Sequence, residues 1–312
     1  MSNYKPDIVI YHANCADGFG AAWACWMRWR DDCAYVAASY GQEPPDVSGK
    51  HVLIVDFSYK RDVLREMGKT AKSIIVLDHH KTAQADLEEW AVDDVAGEFW
   101  AGDNPLKLVW ENDEHIGQPI AAQFDMDRSG ARLAWEFCHD AEPPLLIRLI
   151  EDRDLWRFAM ENTKPFGIWL RCEPMNFERW EEISQELGDG YDADAIMKEA
   201  DAMQRFFDAK VSEIASMAWR GEIAEHKPMV ANCPPMFASE VGHALLDAHP
   251  DAPFAATYYE NDKRVMWSLR SRNDRQDVSD VASIFGGGGH RNAAGFSVSK
   301  PTPTPSAPVF GE

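Results

Sequence analysis

No run in this sequence approaches the roughly 20 consecutive apolar residues that a bilayer-spanning helix needs, so a soluble protein with no membrane partner is expected. Cysteine is sparse and unclustered. The six thiols at 15, 25, 33, 138, 172 and 233 form no CxxC pair, and the opening Met1–Asp7 carries no apolar h-region. The expectation is a reducing, cytoplasmic setting without a disulfide framework. Positive charge is also short. With 31 Lys+Arg against 52 Asp+Glu the net charge is -21, which argues against a broad cationic surface for sliding along duplex DNA. The acidity is uneven, because residues 225 to 300 hold eight basic and nine acidic side chains, so the excess lies outside them. At 312 residues and 45% hydrophobic, the chain has apolar material for two domains or one large one.

Three short runs rich in Val and Ile read as buried strands: Asp7–Tyr11, His51–Val55 and Ser73–Leu77. Each runs straight into polar residues. His12-Ala-Asn-Cys-Ala-Asp17-Gly follows the first, Asp56 the second, and Asp78-His79-His80 the third. Phe19–Arg30 and Lys60–Lys72 have helical composition, which predicts β-α-β-α-β and a parallel sheet. Ligands bind beyond the carboxyl ends of such strands, so all three polar clusters should converge on one edge.

Residues 93–120 show no clear period and read as a long surface excursion. Ser129 is placed to cap a helix, and a second helical pattern runs from Pro143 into Glu151-Asp152-Arg153-Asp154. Ile196, Met203, Phe207, Val211, Ile214 and Ala218 recur at helical spacing and predict a packed connecting helix. A second domain begins near Gly221. It is expected to hold a helix opened by Ser239, a hairpin of Phe254–Tyr259 with Arg264–Arg270, and the run Gly286-Gly-Gly-Gly-His290. The proline-rich residues 301–312 read as a disordered tail.

A buried His or Asp at a strand end is usually a satisfied structural group. The set is different. His12, Asp17, Asp56, Asp78, His79 and Asp152 all fall at predicted strand or helix ends, where unpaired carboxylates would repel one another. Carboxylate and imidazole without clustered thiolate favour Mn²⁺ or Mg²⁺ over a structural zinc. A carboxylate shared by two ions would make a two-metal centre that attacks phosphorus with a metal-activated hydroxide.

Taken in this order, His12 with Asp17-Gly, Asp78-His79-His80, and the four glycines before His290 resemble the DHH phosphoesterase superfamily. The carboxyl-terminal part resembles the DHH-associated domain found in RecJ-type exonucleases and nanoRNases. The resemblance spans about residues 7 to 298, apart from 93–120. It implies an α/β fold, with a parallel-sheet DHH metal-binding domain over 1–190 and a connecting helix over 191–220. A smaller α/β DHH-associated substrate-binding domain over 221–300 and the tail 301–312 would complete it. It further implies two divalent ions, Mn²⁺ first and Mg²⁺ as the alternative. Asp56 would bridge them, His12 would serve one, and Asp17, His79 and Asp152 the other. Asp78 would orient a ligand, and His80 would meet the scissile phosphate.

Asp154 rivals Asp152, because Glu151-Asp-Arg-Asp can be slid by two residues against the family pattern; Asp152 is preferred. The chain departs from the family at Cys15, where an additional Asp is common. Two readings stand open, a softer ligand that alters the ion at His12 or an inert thiol. Gly287, Gly288, Gly289 and His290 would close on substrate phosphate, with Arg270 as the basic contact. The predicted function is hydrolysis of short oligonucleotides or nucleotide phosphodiesters in the cleft between the domains. A single-strand exonuclease and a nucleotide- or nucleic-acid-binding protein weakened at Cys15 are the alternatives, and a homo-oligomer is compatible with either.

Overall fold

The computed structural model describes residues 4–95, 106–188 and 190–300. The chain divides into two compact units, residues 1–205 and 206–312, and the division falls within the helix Gly190–Ser216. The expected tail and part of the 93–120 excursion lie outside the described residues. No described helix is long and apolar enough to cross a membrane.

In the N-terminal unit, five strands form one sheet: β1 (Ile8–His12), β2 (Ala34–Ala38), β3 (His51–Val55), β4 (Ser73–Asp78) and β5 (Ile120–Phe124). Their order is β2-β1-β3-β4-β5 and every pairing is parallel. Alternation along the strands assigns their side chains to two faces. Val9, Leu53, Val55, Ile75, Leu77 and Ala121 join a core with α1 (Ala16–Trp29) and the helices Gly130–Cys138 and Leu145–Asp154. Ile8, Ile10, Val52, Ile54, Ile74 and Val76 join a second core with Leu64 and Met67 of α2 (Arg61–Gly68). The two crossover helices lie on opposite faces because β1–α1–β2 and β3–α2–β4 step across the sheet in opposite directions, and crossovers keep one hand. A crevice therefore opens where the strand order reverses, beyond the ends of β1 and β3.

Aromatic packing holds α1 in place. Trp23 stacks on Trp135 with centroids 5.9 Å apart, and Phe19 meets Trp180 at 4.7 Å and Phe177 at 4.9 Å. Each such pair contributes about 0.5–1.5 kcal/mol beyond the area it buries.

Two strands and a helix depart from the sequence expectation. β2 (Ala-Tyr-Val-Ala-Ala) and β5 (Ile-Ala-Ala-Gln-Phe) are Ala-rich, and alanine has little strand preference outside a packed context. The surface excursion contains the helix Leu106–Ile116, which buries Leu106 and Val109, and it leads into β5.

The C-terminal unit holds a mixed six-stranded sheet in the order β10-β11-β9-β8-β7-β6. Its strands are β6 (Trp219–Arg220), β7 (Met229–Asn232), β8 (Ala255–Glu260), β9 (Arg264–Arg270), β10 (Gly288–His290) and β11 (Ala293–Ser299). β7 and β8 pair in parallel, and the other pairs are antiparallel. The expected hairpin is β8–β9. Ser239 does not cap its helix, which runs Ala238–Ala248 with Phe237 at the N-cap; its hydroxyl accepts from Arg270 Nη2 at 2.7 Å instead.

Two of the clustered glycines serve packing within this sheet. A Cβ on Gly287 would lie 2.1 Å from the Gly295 carbonyl oxygen and 2.6 Å from Phe296 Cβ. One on Gly289, whose φ is 137°, would lie 2.5 Å from the Ala293 oxygen. Gly287→Ala should cost the C-terminal unit about 1–3 kcal/mol through overpacking, read as a lowered thermal midpoint in circular dichroism. An unchanged midpoint would show that the hairpin relaxes freely.

Candidate metal centre

The strand ends of the N-terminal unit carry the ionisable cluster. β1 ends at His12, and the chain turns through Asn14 in the left-handed region (φ 56°) before α1 begins at Ala16. Asp17 lies in the first turn of α1. Gly18 follows it by necessity, since a Cβ there would stand 2.3 Å from the His12 carbonyl oxygen. Asp56 follows β3 with φ 51°, a conformation costing a non-glycine residue about 1–3 kcal/mol, and its N–H donates to Leu77 O at 2.9 Å. β4 ends at Asp78, and His79 and His80 precede α3 (Lys81–Asp86).

These elements bring His79 Nε2 to 3.1 Å from Asp56 Oδ1, 3.5 Å from Asp17 Oδ2 and 3.7 Å from Asp154 Oδ2. On the other side of Asp56, His12 Nδ1 lies 3.7 Å from Oδ2. Asp78 Oδ1 accepts from the His79 N–H at 2.8 Å and meets His80 Nδ1 at 2.7 Å, which turns His80 Nε2 away from Asp78. Among the described residues of this unit, three sets of donors have ligand atoms within 4.8 Å of one another: Asp17, Asp56 and His79; His12, Cys15 and Asp56; and Asp56, Asp78 and His80. Asp56 belongs to all three.

The surroundings hold these groups rigidly. Asp17 accepts from the Gly130 N–H at 2.6 Å and the Ala131 N–H at 3.0 Å, the exposed amides at the start of the helix Gly130–Cys138. Ser129 caps that helix as expected, accepting from the Arg132 N–H at 3.2 Å. Gly130 itself went unread in the sequence. Its missing side chain admits Asp56, whose Cβ would be 2.3 Å from any Cβ placed there.

The charges are out of balance. Burial works to raise the Asp56 pKa, yet the nearby His12 imidazole, the hydrogen bond with His79 and the charges of His79 and His80 hold it far below the usual carboxylate range. Desolvation pushes the Asp17 carboxyl well up, and the charges of Asp56 and Asp154 push in the same direction. Desolvation raises Asp154 as well, against the pull of His79. The Cys15 thiol is pushed well up by desolvation and then by Asp56, Asp154 and Asp17. Burial disfavours a charge on His79, but the hydrogen bond with Asp56 and the charges of Asp154, Asp56 and Asp17 raise its pKa well above the ordinary value. Too many acidic groups converge here for the protons and histidines present, which is the condition a divalent cation relieves. Asp56 Oδ2 supports the fit directly, being buried with no hydrogen-bond donor among the described residues, a costly state for a carboxylate oxygen otherwise.

One expected residue lies elsewhere. Asp152 is not in the cluster; its carboxylate accepts from the Ala159 N–H at 2.9 Å, the Met160 N–H at 3.1 Å and the Thr163 hydroxyl. It braces the turn in which Trp156 and Phe158 both take positive φ, 55° and 48°. Two residues along a helix rotate a side chain by about 200°, so Asp152 and Asp154 leave the helix in opposing directions and only Asp154 meets His79. In the C-terminal unit, Arg270 donates to Leu269 O and Ser239 Oγ, Arg272 pairs with Asp247, and His290 is half-buried at the end of β10.

No family model matches the chain. It is 30% identical over 317 aligned positions to the uncharacterized protein R106 of Acanthamoeba polyphaga mimivirus, covering 95% of this chain and 68% of that protein. A shorter match of 62 residues, 40% identical, is to the oligoribonuclease NrnB of Bacillus subtilis (strain 168), and it spans 20% of this chain and 15% of NrnB. Among solved structures, RecJ in complex with Mn²⁺ from Thermus thermophilus is 15% identical with a TM-score of 0.49, over 94% of this chain and 49% of RecJ. The pGpG-specific phosphodiesterase PggH from Vibrio cholerae is 10% identical with a TM-score of 0.44, over 94% of this chain and 93% of PggH.

Exchanging the two neighbouring carboxylates separates their roles. Asp154→Asn should weaken Mn²⁺ binding at least about tenfold in titration calorimetry while leaving thermal stability near wild type. Asp152→Ala should bind Mn²⁺ as wild type does but lose about 1–3 kcal/mol of stability, because it strips two amides and a hydroxyl of their acceptor. The reverse pattern would return Asp152 to the metal.

Proposed function

The chain belongs to one family with the mimiviral R106 protein, and we propose that it is a DHH-type, metal-dependent phosphodiesterase acting on short oligonucleotides or nucleotide phosphodiesters. The observation that carries this reading is the shared carboxylate, with Asp56 lying between the His79, Asp17 and Asp154 set and the His12 and Cys15 set. Two divalent cations, Mn²⁺ first and Mg²⁺ as the alternative, would supply the Lewis acidity and the lowered water pKa that hydrolysis of a phosphodiester needs.

The side chains have distinct tasks in this scheme. Asp17, His79 and Asp154 would hold one cation, His12 would serve the other, and Asp56, lying between the two sets, would be available to both. Asp78 acts through His80 and is a positioning residue. His80, whose Nδ1 meets Asp78, would hydrogen-bond the phosphate or give a proton to the departing oxygen. In the C-terminal unit, Gly287, Gly288, Gly289, His290 and Arg270 are assigned to substrate phosphate, although two of these glycines are already required by sheet packing. The acidic surface outside residues 225–300 supports short substrates, since a long polyanion would be repelled by it. The six free thiols fit a reducing, cytoplasmic setting.

The test is a panel of dinucleotides, longer single strands and cyclic dinucleotides presented to metal-stripped protein with Mn²⁺, Mg²⁺, Co²⁺ or Zn²⁺ restored. Asp56→Ala should lower kcat by about 1000-fold or more on every substrate, some 4 kcal/mol of lost alignment, with the fold intact by circular dichroism. Near-wild-type turnover in that variant would sink the shared-carboxylate scheme.

Cys15 offers a finer test. Replacing a protonated thiol by a hard oxygen ligand should strengthen the His12 position, so Cys15→Asp is expected to reduce the Mn²⁺ concentration for half-maximal activity and Cys15→Ser to be tolerated. Loss of all activity in Cys15→Ser would instead make the thiolate an obligatory ligand.

A further inference from the structure

An aromatic ring that the proposed chemistry does not use stands at the mouth of the metal centre. β2 ends at Ala38 and the chain turns over Ser39–Gln42, closed by the Gln42 N–H donating to Ser39 O at 3.1 Å and by the Ser39 N–H donating to Gln42 Oε1 at 3.0 Å. Gly41 takes φ 84° there, as the third position of such a turn requires. Tyr40 is thereby held at the turn's leading corner. Its ring centre lies 5.0 Å from Phe57, 5.5 Å from His12 and 6.3 Å from His80. Phe57 is fully buried and itself stacks on His12 at 6.0 Å.

Tyr40 nevertheless remains 56% exposed. A ring serving the core would bury both faces; this one rests on Phe57 and leaves much of its surface to solvent beside two histidines of the site. Exposed aromatics beside a phosphate-handling centre are suited to unpaired bases, since every base has a π-face.

We infer that Tyr40 is a specificity-determining residue, a stacking platform for the nucleobase next to the scissile phosphodiester. The inference rests on the phosphodiesterase reading and adds a substrate class to it. The preferred phosphodiesters carry an unpaired base beside the cleaved bond, and base-free phosphodiesters or paired strands are handled poorly. Stacking of this kind is worth a factor of roughly 5 to 150 per base on truncation to alanine. The phenol hydroxyl is not required, so phenylalanine should substitute.

The experiment compares wild type, Tyr40→Ala and Tyr40→Phe with Mn²⁺ on diadenylate and on an abasic analogue with the same ribose–phosphate–ribose backbone. The ratio of kcat/KM for diadenylate over the abasic analogue should fall roughly 5- to 150-fold in Tyr40→Ala, mainly through KM, and hold in Tyr40→Phe. An unchanged ratio in Tyr40→Ala, or a fall in Tyr40→Phe as large as in Tyr40→Ala, overturns the platform. Mn²⁺ titration of Tyr40→Ala should match wild type; weakened Mn²⁺ binding would mean that the ring only supports His12.

A second measurement does not depend on turnover. Calorimetry with adenosine monophosphate and with ribose 5-phosphate, both in Mg²⁺, should give a preference for the nucleotide that Tyr40→Ala loses. Wild type that cleaves diadenylate with no Tyr40 effect refutes the platform and leaves the phosphodiesterase standing. Wild type inert on both substrates but with a Tyr40-dependent nucleotide preference does the opposite. Absence of both activity and preference refutes the two together.

Discussion

A single buried carboxylate sets the terms for the N-terminal unit. Asp56 sits beyond β3 in a left-handed conformation, with histidines on either side and further carboxylates converging from α1 and the helix Leu145–Asp154. The negative charge gathered there is tolerable in a buried setting only where histidines or a bound cation compensate it. The sheet does the gathering, because the strand order reverses at β1 and opens a crevice in which the ends of β1, β3 and β4 deliver one cluster each. Close approach is then secured by what is absent, with Gly18 making room for the His12 carbonyl and Gly130 for Asp56. The aromatic packing of Phe19, Trp23 and Trp180 fixes α1 firmly enough to hold Asp17 in place.

Much of this was legible in the sequence because the informative strands are buried on both faces. His51–Val55 and Ser73–Leu77 are continuous Val/Ile/Leu runs that stop at ionisable residues, and both the strands and the placement of Asp56, Asp78, His79 and His80 at their ends follow from that. β2 and β5 were silent because alanine declares no preference, and their pairing partners are distant in the chain. The choice between Asp152 and Asp154 was beyond periodicity. Asp152 falls three after the buried Leu149 and Asp154 four after the buried Ile150, so helical spacing admits either, and only the sheet's position decides which meets His79. The glycine run suggests ligand approach, yet Gly287 and Gly289 are demanded by neighbouring backbone that the sequence does not display. Tyr40 gave no signal at all, since one tyrosine in a short turn carries no period.

Cys15 shows how a departure from a family pattern can be absorbed. As the N-cap of α1 it makes no side-chain capping bond, and desolvation, reinforced by the charges of Asp56, Asp154 and Asp17, pushes its thiol pKa well up. A neutral group at that place adds nothing to the local excess of negative charge, whereas a fourth carboxylate there would have increased it. On the proposed metal-binding role, a thiol at this position would trade ligand hardness for a milder electrostatic load on the same small volume.

The two amides that Asp17 receives from Gly130 and Ala131 have a further consequence. They join the ionisable cluster to the docking of the helix Gly130–Cys138, which in turn packs its Trp135 on Trp23 of α1. Occupancy at the strand ends and the integrity of the hydrophobic interior are therefore linked equilibria. A ligand captured there is counted in the unfolding free energy, and amide hydrogens at residues 130–131 become reporters of an event whose chemistry takes place on a different element.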